Sequence, residues 1–211
     1  NASDWDADLK SKFKSNLRNR ERRIEKLGRL RFEVVTEIDM LQKELDVFYQ
    51  LECASWKGNE KSAIIQKPLV KSFYDNLVLG GAGNALIAVL YLDDQPIAAQ
   101  LLRVVGGRMF LVKVSYNPEF GKYSPGQLIM RRTVQYAIET GISEVDFLGE
   151  EAAWKSDWNS IPDQNLAMRQ FSPDIRGTYG YFARYGIREA AKRIPGARRI
   201  VSAVRNSRRA S

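Results

Sequence analysis

"ALIAVLYLDDQPIAAQLLRVVGGRMFLVKVSY", Ala85 to Tyr116, decides the fold. Three runs rich in β-branched and aliphatic residues, Ala85–Asp93, Pro96–Val105 and Arg108–Tyr116, are separated by Asp93-Asp94-Gln95 and by Gly106-Gly107. Short polar or glycine pairs between such runs are hairpin turns, so the stretch predicts an antiparallel three-stranded meander. After Tyr116 the pattern changes. "NPEFGKYSPGQLIMRRTVQYAIETG" passes through an aromatic loop into a helical pattern from Pro125 to Thr140, closed by Gly141. "SEVDFLG", Ser143 to Gly149, then reads as a short buried strand, which makes strand, helix and strand a βαβ crossover.

Working outward toward the N-terminus, "LRFEVVT" (Leu30–Thr36) alternates and is β-branched, hence a strand. Thr36 is placed to cap a helix running to about Trp56, and a second helix begins after Pro68 and stops at Gly80-Gly81. Leu9, Phe13, Leu17, Ile24 and Leu27 recur at helical spacing in a single basic arm over 8–27, with Gly28 as its C-cap. Toward the C-terminus, "EEAAWKSDW" gives one or two helical turns and Asn165–Ser172 a further strand. Tyr179–Ala210 reads as basic helix interrupted at Pro195-Gly196, with its aromatics as core packing. The expected class is α/β of the α+β kind: one mixed twisted sheet with an antiparallel meander and helices on both faces. The expected division is an arm over 1–29, a domain over 30–175 and a basic tail over 176–211.

Composition limits the chemistry. The 211 residues contain no histidine and one cysteine. Ser-His and Cys-His catalysis and an internal disulfide are therefore excluded, and no metal is expected. Cys53 reads as a buried structural thiol, and a lone thiol fits a reducing cytoplasm. The net charge of +8 is concentrated at the two ends: residues 10–31 carry 10 Lys/Arg against 2 Glu, and residues 184–209 carry 9 against 1. Such ends suit nucleic acid, anionic lipid or an acidic partner, or form a plain solvated helix face. Asn1-Ala2 reads as a tag remnant, so the sequence is expected to be a piece of a longer chain.

Two constellations carry candidate chemistry. At the entrance of the Pro125 helix, Ser124 is the expected N-cap. The amides of Gly126, Gln127 and Leu128 there meet the positive end of the helix dipole, an anion site to which Lys122 adds charge. The alternative is a capped helix after a turn. In "VDFLGEEAAWKSDW", Asp146 stands at the carboxyl end of a strand, where burial would raise its pKa and make it a base, or it caps the next turn. Glu150 and Glu151 are further carboxylates. Lys155, between Trp154 and Trp158, binds an anion or lays its stem on a tryptophan.

The order of elements, with "LDDQPIAAQLL", "SYNPEFGKYSPGQLIM", "AIETGISEVDFLG" and "WKSDW" in register, resembles the GNAT acyltransferase fold. In particular it is similar to the CelD/BcsL-type acetyltransferase domain of bacteria, a group related to Fem-type aminoacyl transferases. The sequence departs from that group in "DFLGEEAAWK", where the glycine comes one residue early and Trp154 replaces a tyrosine. The resemblance implies acetyl-CoA as co-substrate, its pyrophosphate at Lys122, Tyr123, Ser124, Gly126, Gln127 and Leu128. It implies an acyl carbonyl held by backbone N–H groups at Val114 and Ser115. Tyr116 then lines the site or protonates the leaving thiolate, Asp146 with Glu151 serves as base, and Trp154 and Lys155 bind the acceptor. It implies transfer to a small-molecule or saccharide acceptor, such as a cell-envelope or polysaccharide precursor, in the cytoplasm or at the inner membrane face. Two further readings stand beside it. One is a Fem-like transferase using aminoacyl-tRNA; the other is a non-catalytic half, lacking an N-terminal GNAT-like half, that docks an acidic partner or a membrane.

Overall fold

The structure is a computed structural model describing residues 2–55, 63–80, 83–150, 152–162, 168, 170–182 and 185. The chain divides into two compact units, 1–162 and 163–211.

The first unit holds one five-stranded sheet in the order β1-β2-β3-β4-β5: β1 Leu30–Val35, β2 Ala85–Leu92, β3 Gln95–Val105, β4 Arg108–Tyr116 and β5 Glu144–Asp146. The first four pair antiparallel and β5 runs parallel to β4, as the meander and crossover require. The β3–β4 turn uses Gly106 and Gly107 at φ 58° and 78°, the left-handed pair that a two-residue hairpin needs. β2 is buried along its whole length and sends alternate residues to opposite faces. Leu86, Ala88, Leu90 and Leu92 enter one core, and Ala85, Ile87, Val89 and Tyr91 enter the other.

Each core is closed by its own helices. Helix α3 (Ile38–Ala54) and helix α4 (Pro68–Leu79) cover the second face with Leu41, Leu45, Phe48, Tyr49 and Val78. The first face is covered by α5 (Pro125–Glu139) and by two N-terminal helices, α1 (Ala2–Asp8) and α2 (Ser11–Ile24). Leu17 and Ile24 of α2 are fully buried, so the basic segment expected as an arm contributes its apolar stripe to the sheet's core. Its charges tie it down as well. Arg131 of α5 binds Asp6 of α1 and Glu21 of α2, each at 2.9 Å.

Several local expectations are corrected. The arm is two helices, broken at Leu9-Lys10, and Glu25 is the residue at the end of α2. Gly28 answers to close approach instead: a Cβ there would lie 2.3 Å from the Asp93 carboxylate, which accepts the Arg29 N–H at 2.8 Å. Glu37 precedes α3, with no side-chain cap. Cys53 is half-buried. Ser143–Gly149 pairs only over Glu144–Asp146. Short helical turns at Ala153–Ser156 (α6) match the expectation for "EEAAWKSDW".

In the second unit, α7 (Ile175–Tyr181) starts where the Asp174 carboxylate accepts the Gly177 N–H at 2.7 Å, and that bond holds the Asp174 pKa below its ordinary value. A Cβ at Gly177 would sit 1.9 Å from the Ser172 carbonyl oxygen, so this start needs glycine. The described residues of 165–172 form no strand. Tyr179, Tyr181 and Phe182 are largely exposed rather than core. Beyond Phe182 only Tyr185 is described, so the expected C-terminal basic helix lies outside the described residues. Among the described residues, no helix is long and apolar enough to cross a membrane.

Candidate active site

The site is made by a mismatch between β4 and its two neighbours. β5 pairs only with Arg108, Met109 and Phe110. β4 continues for six more residues with β3 alone, so beyond Phe110 no strand among the described residues pairs with its far edge. A bulge marks the departure. Leu102 pairs with Leu111 but Leu101 with Lys113, which leaves Val112 as the extra residue. A bulge adds twist and bend, and it also shifts which face each later side chain takes. Met109 and Leu111 point to the α5 side, Val112 to the α3 side, and after the bulge Val114 returns to the α5 side. Without the extra residue, Lys113 and Ser115 would face α5. With it, Val114 and Tyr116 do, while Lys113 binds Glu52 of α3 at 3.2 Å.

A cleft of about 260 Å³ lies there, lined by Val114, Tyr116, Gly121, Ser124, Gly126, Gln127, Met130, Trp154 and Trp158. Six residues expected at the site thus share one cavity: Val114, Tyr116, Ser124, Gly126, Gln127 and Trp154. A Cβ at Gly126 would point into it, 3.5 Å from the Tyr116 ring and 4.0 Å from Val114, an ordinary contact distance. Gly126 therefore keeps the space of the cleft open rather than relieving a clash.

Ser124 holds the N-cap position as expected, but in the left-handed region at φ 52°, and its side chain makes no capping bond. Its carbonyl oxygen instead accepts the N–H groups of Gln127 at 2.9 Å and Leu128 at 3.2 Å. Of the three amides assigned to an anion, those two are engaged internally. The Gly126 N–H has no acceptor among the described residues. Tyr123 is buried, and Lys122 Nζ and Arg23 stand 5.0 and 5.5 Å from its ring centroid. Neither cation has a carboxylate partner among the described residues. Leu128 and Ser115 are buried away from the cleft lining.

The post-β5 loop is organised by two charged groups. Asp146 Oδ1 accepts the Leu148 N–H at 2.8 Å, and Oδ2 lies 3.8 Å from Arg108. Its side chain is 28% exposed, short of the burial expected for it, and it caps the turn as the alternative reading had it. Lys155 Nζ donates to the carbonyl oxygens of Leu148, Gly149 and, at 2.8 Å, Glu150. Glu151 lies outside the described residues. Among the described residues, no group of three or more His, Cys, Asp or Glu is arranged to hold a metal ion.

Gly121, Met130 and Trp158 join the lining without having been expected there. Trp158 is 4% exposed, with its ring stacked on Trp5 (centroids 6.0 Å, 3°) and met edge-on by Phe13 at 5.0 Å. Its Nε1 and the Oε1 of Gln127 are the buried side-chain polar atoms without a hydrogen-bond partner among the described residues.

Residues 11–156 match the family described as acetyltransferase (GNAT) domain, and the chain belongs to that family. The acyl donor of its acetyltransferases is acetyl-CoA. Among solved structures, the chain is similar to FemX, at 12% identity and a TM-score of 0.54 over 86% of this chain and 55% of that one. It is also similar to a GCN5-related N-acetyltransferase from Ralstonia eutropha JMP134, at 16% identity and a TM-score of 0.50 over 67% and 99%. An aminoglycoside acetyltransferase from an uncultured soil metagenomic sample, in complex with sisomicin, aligns at 15% identity and a TM-score of 0.46 over 69% and 97%. These are likenesses of fold. No curated protein matches the chain in sequence.

Proposed function

We propose that the chain is a CelD/BcsL-type acetyltransferase that moves the acetyl group of acetyl-CoA directly to an amine or hydroxyl of a sugar or cell-envelope precursor. The observation that carries the reading is the unpaired far edge of β4 from Leu111 to Tyr116, which opens onto the cleft beside the entrance of α5. Every second residue of that stretch turns its backbone polar groups away from β3, so an N–H donor at Val114 or Ser115 is available to an acyl carbonyl and to the oxyanion it becomes. The donor's phosphates lie at the Gly126 N–H, with Lys122 and Arg23 supplying charge.

In the transfer, the acceptor nitrogen or oxygen forms a bond to the acyl carbon and the carbon–sulfur bond breaks. Tyr116, on the cleft wall and 43% exposed, gives its proton to the leaving thiolate. The acceptor's proton passes to Asp146 at the end of β5, the point from which β4 departs, with Glu151 as its companion. Trp154 lines the acceptor's approach, and Lys155 holds the loop's carbonyl oxygens in place around it. The protein's main contribution is positioning.

Release of free CoA thiol from acetyl-CoA, monitored over a panel of amino sugars and sugar alcohols, tests the reading. Acceptor-dependent thiol release is expected. Acetyl-CoA binding with no thiol release for any acceptor would remove the catalytic claim.

One observation favours a second reading. The likeness to FemX extends over 86% of the chain, beyond the 67% shared with the Ralstonia eutropha acetyltransferase. An aminoacyl transferase would bind tRNA through the basic ends, with affinity falling steeply as salt rises and without any need for acetyl-CoA.

A further inference from the structure

β1 is an edge strand, and the phase of its ladder fixes what that edge offers. The Asp93 N–H donates to the Arg29 carbonyl oxygen at 2.8 Å, and pairing continues without a bulge from Leu30↔Leu92 to Val35↔Ile87. Hydrogen-bonded pairs alternate in an antiparallel ladder, so Arg31, Glu33 and Val35 turn their backbone polar groups toward β2. Those of Leu30, Phe32 and Val34 point outward, and no backbone group among the described residues pairs with them. The edge lacks the usual protection. Leu30–Val35 holds no proline, glycine or lysine, and every residue of it is half-buried where every residue of β2 is buried. Its two charges, Arg31 and Glu33, are opposite in sign and share one face.

We propose that β1 pairs antiparallel with β1 of a second copy of this chain, about a two-fold axis at Phe32. Outward-pointing groups must meet outward-pointing groups, which leaves three central registers. A two-fold axis at Arg31 sets arginine opposite arginine, and one at Glu33 sets glutamate opposite glutamate. Like charges directly opposite each other are destabilising. With the axis at Phe32, Arg31 faces the partner's Glu33 and Glu33 faces the partner's Arg31. Phe32 meets the partner's Phe32, Leu30 meets the partner's Val34, and every outward N–H and C=O of these residues finds a counterpart.

The charges are already held in place for this exchange. Arg31 binds Glu33 within one chain, and its guanidinium stands 4.3 Å from the centroid of the Tyr91 ring. Both side chains remain accessible, at 38% and 41% exposed. In the paired strands they occupy non-hydrogen-bonded positions, where opposed side chains come closest. On the other face, Leu30, Phe32 and Val34 pack at the margin of the α5-side core, so pairing carries that apolar margin across the axis. Leu27 and Ile38, 55% and 52% exposed, flank β1 at its two ends, and antiparallel pairing brings the start of one strand beside the end of the other. β4 and β5 lie at the opposite side of the sheet, which leaves both clefts open in the dimer.

Sedimentation velocity of the full chain at rising protein concentration reads the association, and amide hydrogen exchange locates it. A monomer–dimer equilibrium is expected, in which the amides of Leu30, Phe32 and Val34 gain protection while those of Arg31 and Glu33, already bonded to β2, hardly change. Arg31→Glu and Glu33→Arg, each alone, set like charges opposite one another and should weaken dimerisation at least about tenfold. Mixing the two variants, or combining both substitutions in one chain, restores opposite charges in every facing pair and should restore the dimer. That recovery separates charge register from damage to folding. A wild type that stays monomeric at millimolar concentration overturns the proposal. So does a dimer that the single variants leave unchanged, one that neither mixing nor the double substitution restores, or one whose exchange protection falls outside β1.

Discussion

The two faces of the sheet treat buried polar groups in opposite ways. On the α3–α4 face they are paired. Glu44 accepts from the Tyr91 hydroxyl at 2.7 Å, and Tyr49 donates to Asp75 at 2.8 Å. Glu52, fully buried, accepts the Ile64 N–H at 2.8 Å and binds Lys113 at 3.2 Å. The α5 face also has a closed pair, Thr133 donating to Gln100 at 2.6 Å, yet beside it Trp158 and Gln127 are left open. Polar groups on the first face are paired with one another, whereas two on the second face have no hydrogen-bond partner among the described residues. The Val112 bulge connects the two, since it turns Lys113 toward Glu52 and Tyr116 toward the cleft.

This contrast can be broken by substitution. The largest effect expected on the closed face comes from Glu52→Ala, which strands the Ile64 N–H and the Lys113 ammonium and should lower stability by about 3–4 kcal/mol in denaturant unfolding. A loss below about 1 kcal/mol would mean that the network contributes little. On the open face, Tyr116→Phe should cut kcat by about 100-fold while leaving the denaturation midpoint nearly unchanged. An equal fall in stability and kcat would assign Tyr116 to packing. The smallest effect concerns pH. Burial, then the hydrogen bond to an acidic neighbour, pushes the pKa of Tyr91 and Tyr49 well above the ordinary tyrosine value. The folded state therefore holds those protons more tightly than the unfolded chain. Their contribution is present in full below about pH 10 and is lost as pH rises beyond it. Melting temperatures taken between about pH 8 and pH 11 should fall at the alkaline end, and less steeply in Tyr91→Phe.

Most of the sheet was legible because its signals are local. Alternation and turn residues locate β1 to β4 within a residue or two, and Pro125 and Gly141 bracket α5. Three features were hidden because they depend on partners. β5 stops at Asp146 rather than Gly149 since β4, bent at Val112, is no longer beside it, and a bulge is a property of register between two strands. The break between α1 and α2 has neither proline nor glycine at Leu9-Lys10; Leu9 is drawn into the core and Asp6 to Arg131. At the cleft, Gly126 and Gln127 were singled out from the helix entrance, and Tyr116 through the resemblance at the end of β4; all three line it. Trp158 could not be singled out, because an indole in "WKSDW" looks the same whether or not its N–H finds a partner.

The central claim is that the α5 face of the sheet holds acetyl-CoA between the open edge of β4 and the Gly126 turn. Calorimetric titration with acetyl-CoA, on the wild-type protein and on Gly126→Trp, tests it most directly. A tryptophan there projects toward Tyr116 and Val114 and fills the cleft. Saturable binding by the wild type, weakened at least about 100-fold in a folded Gly126→Trp protein, is the predicted result. Equal affinity in the two proteins, or no heat from the wild type at millimolar acetyl-CoA, would contradict it.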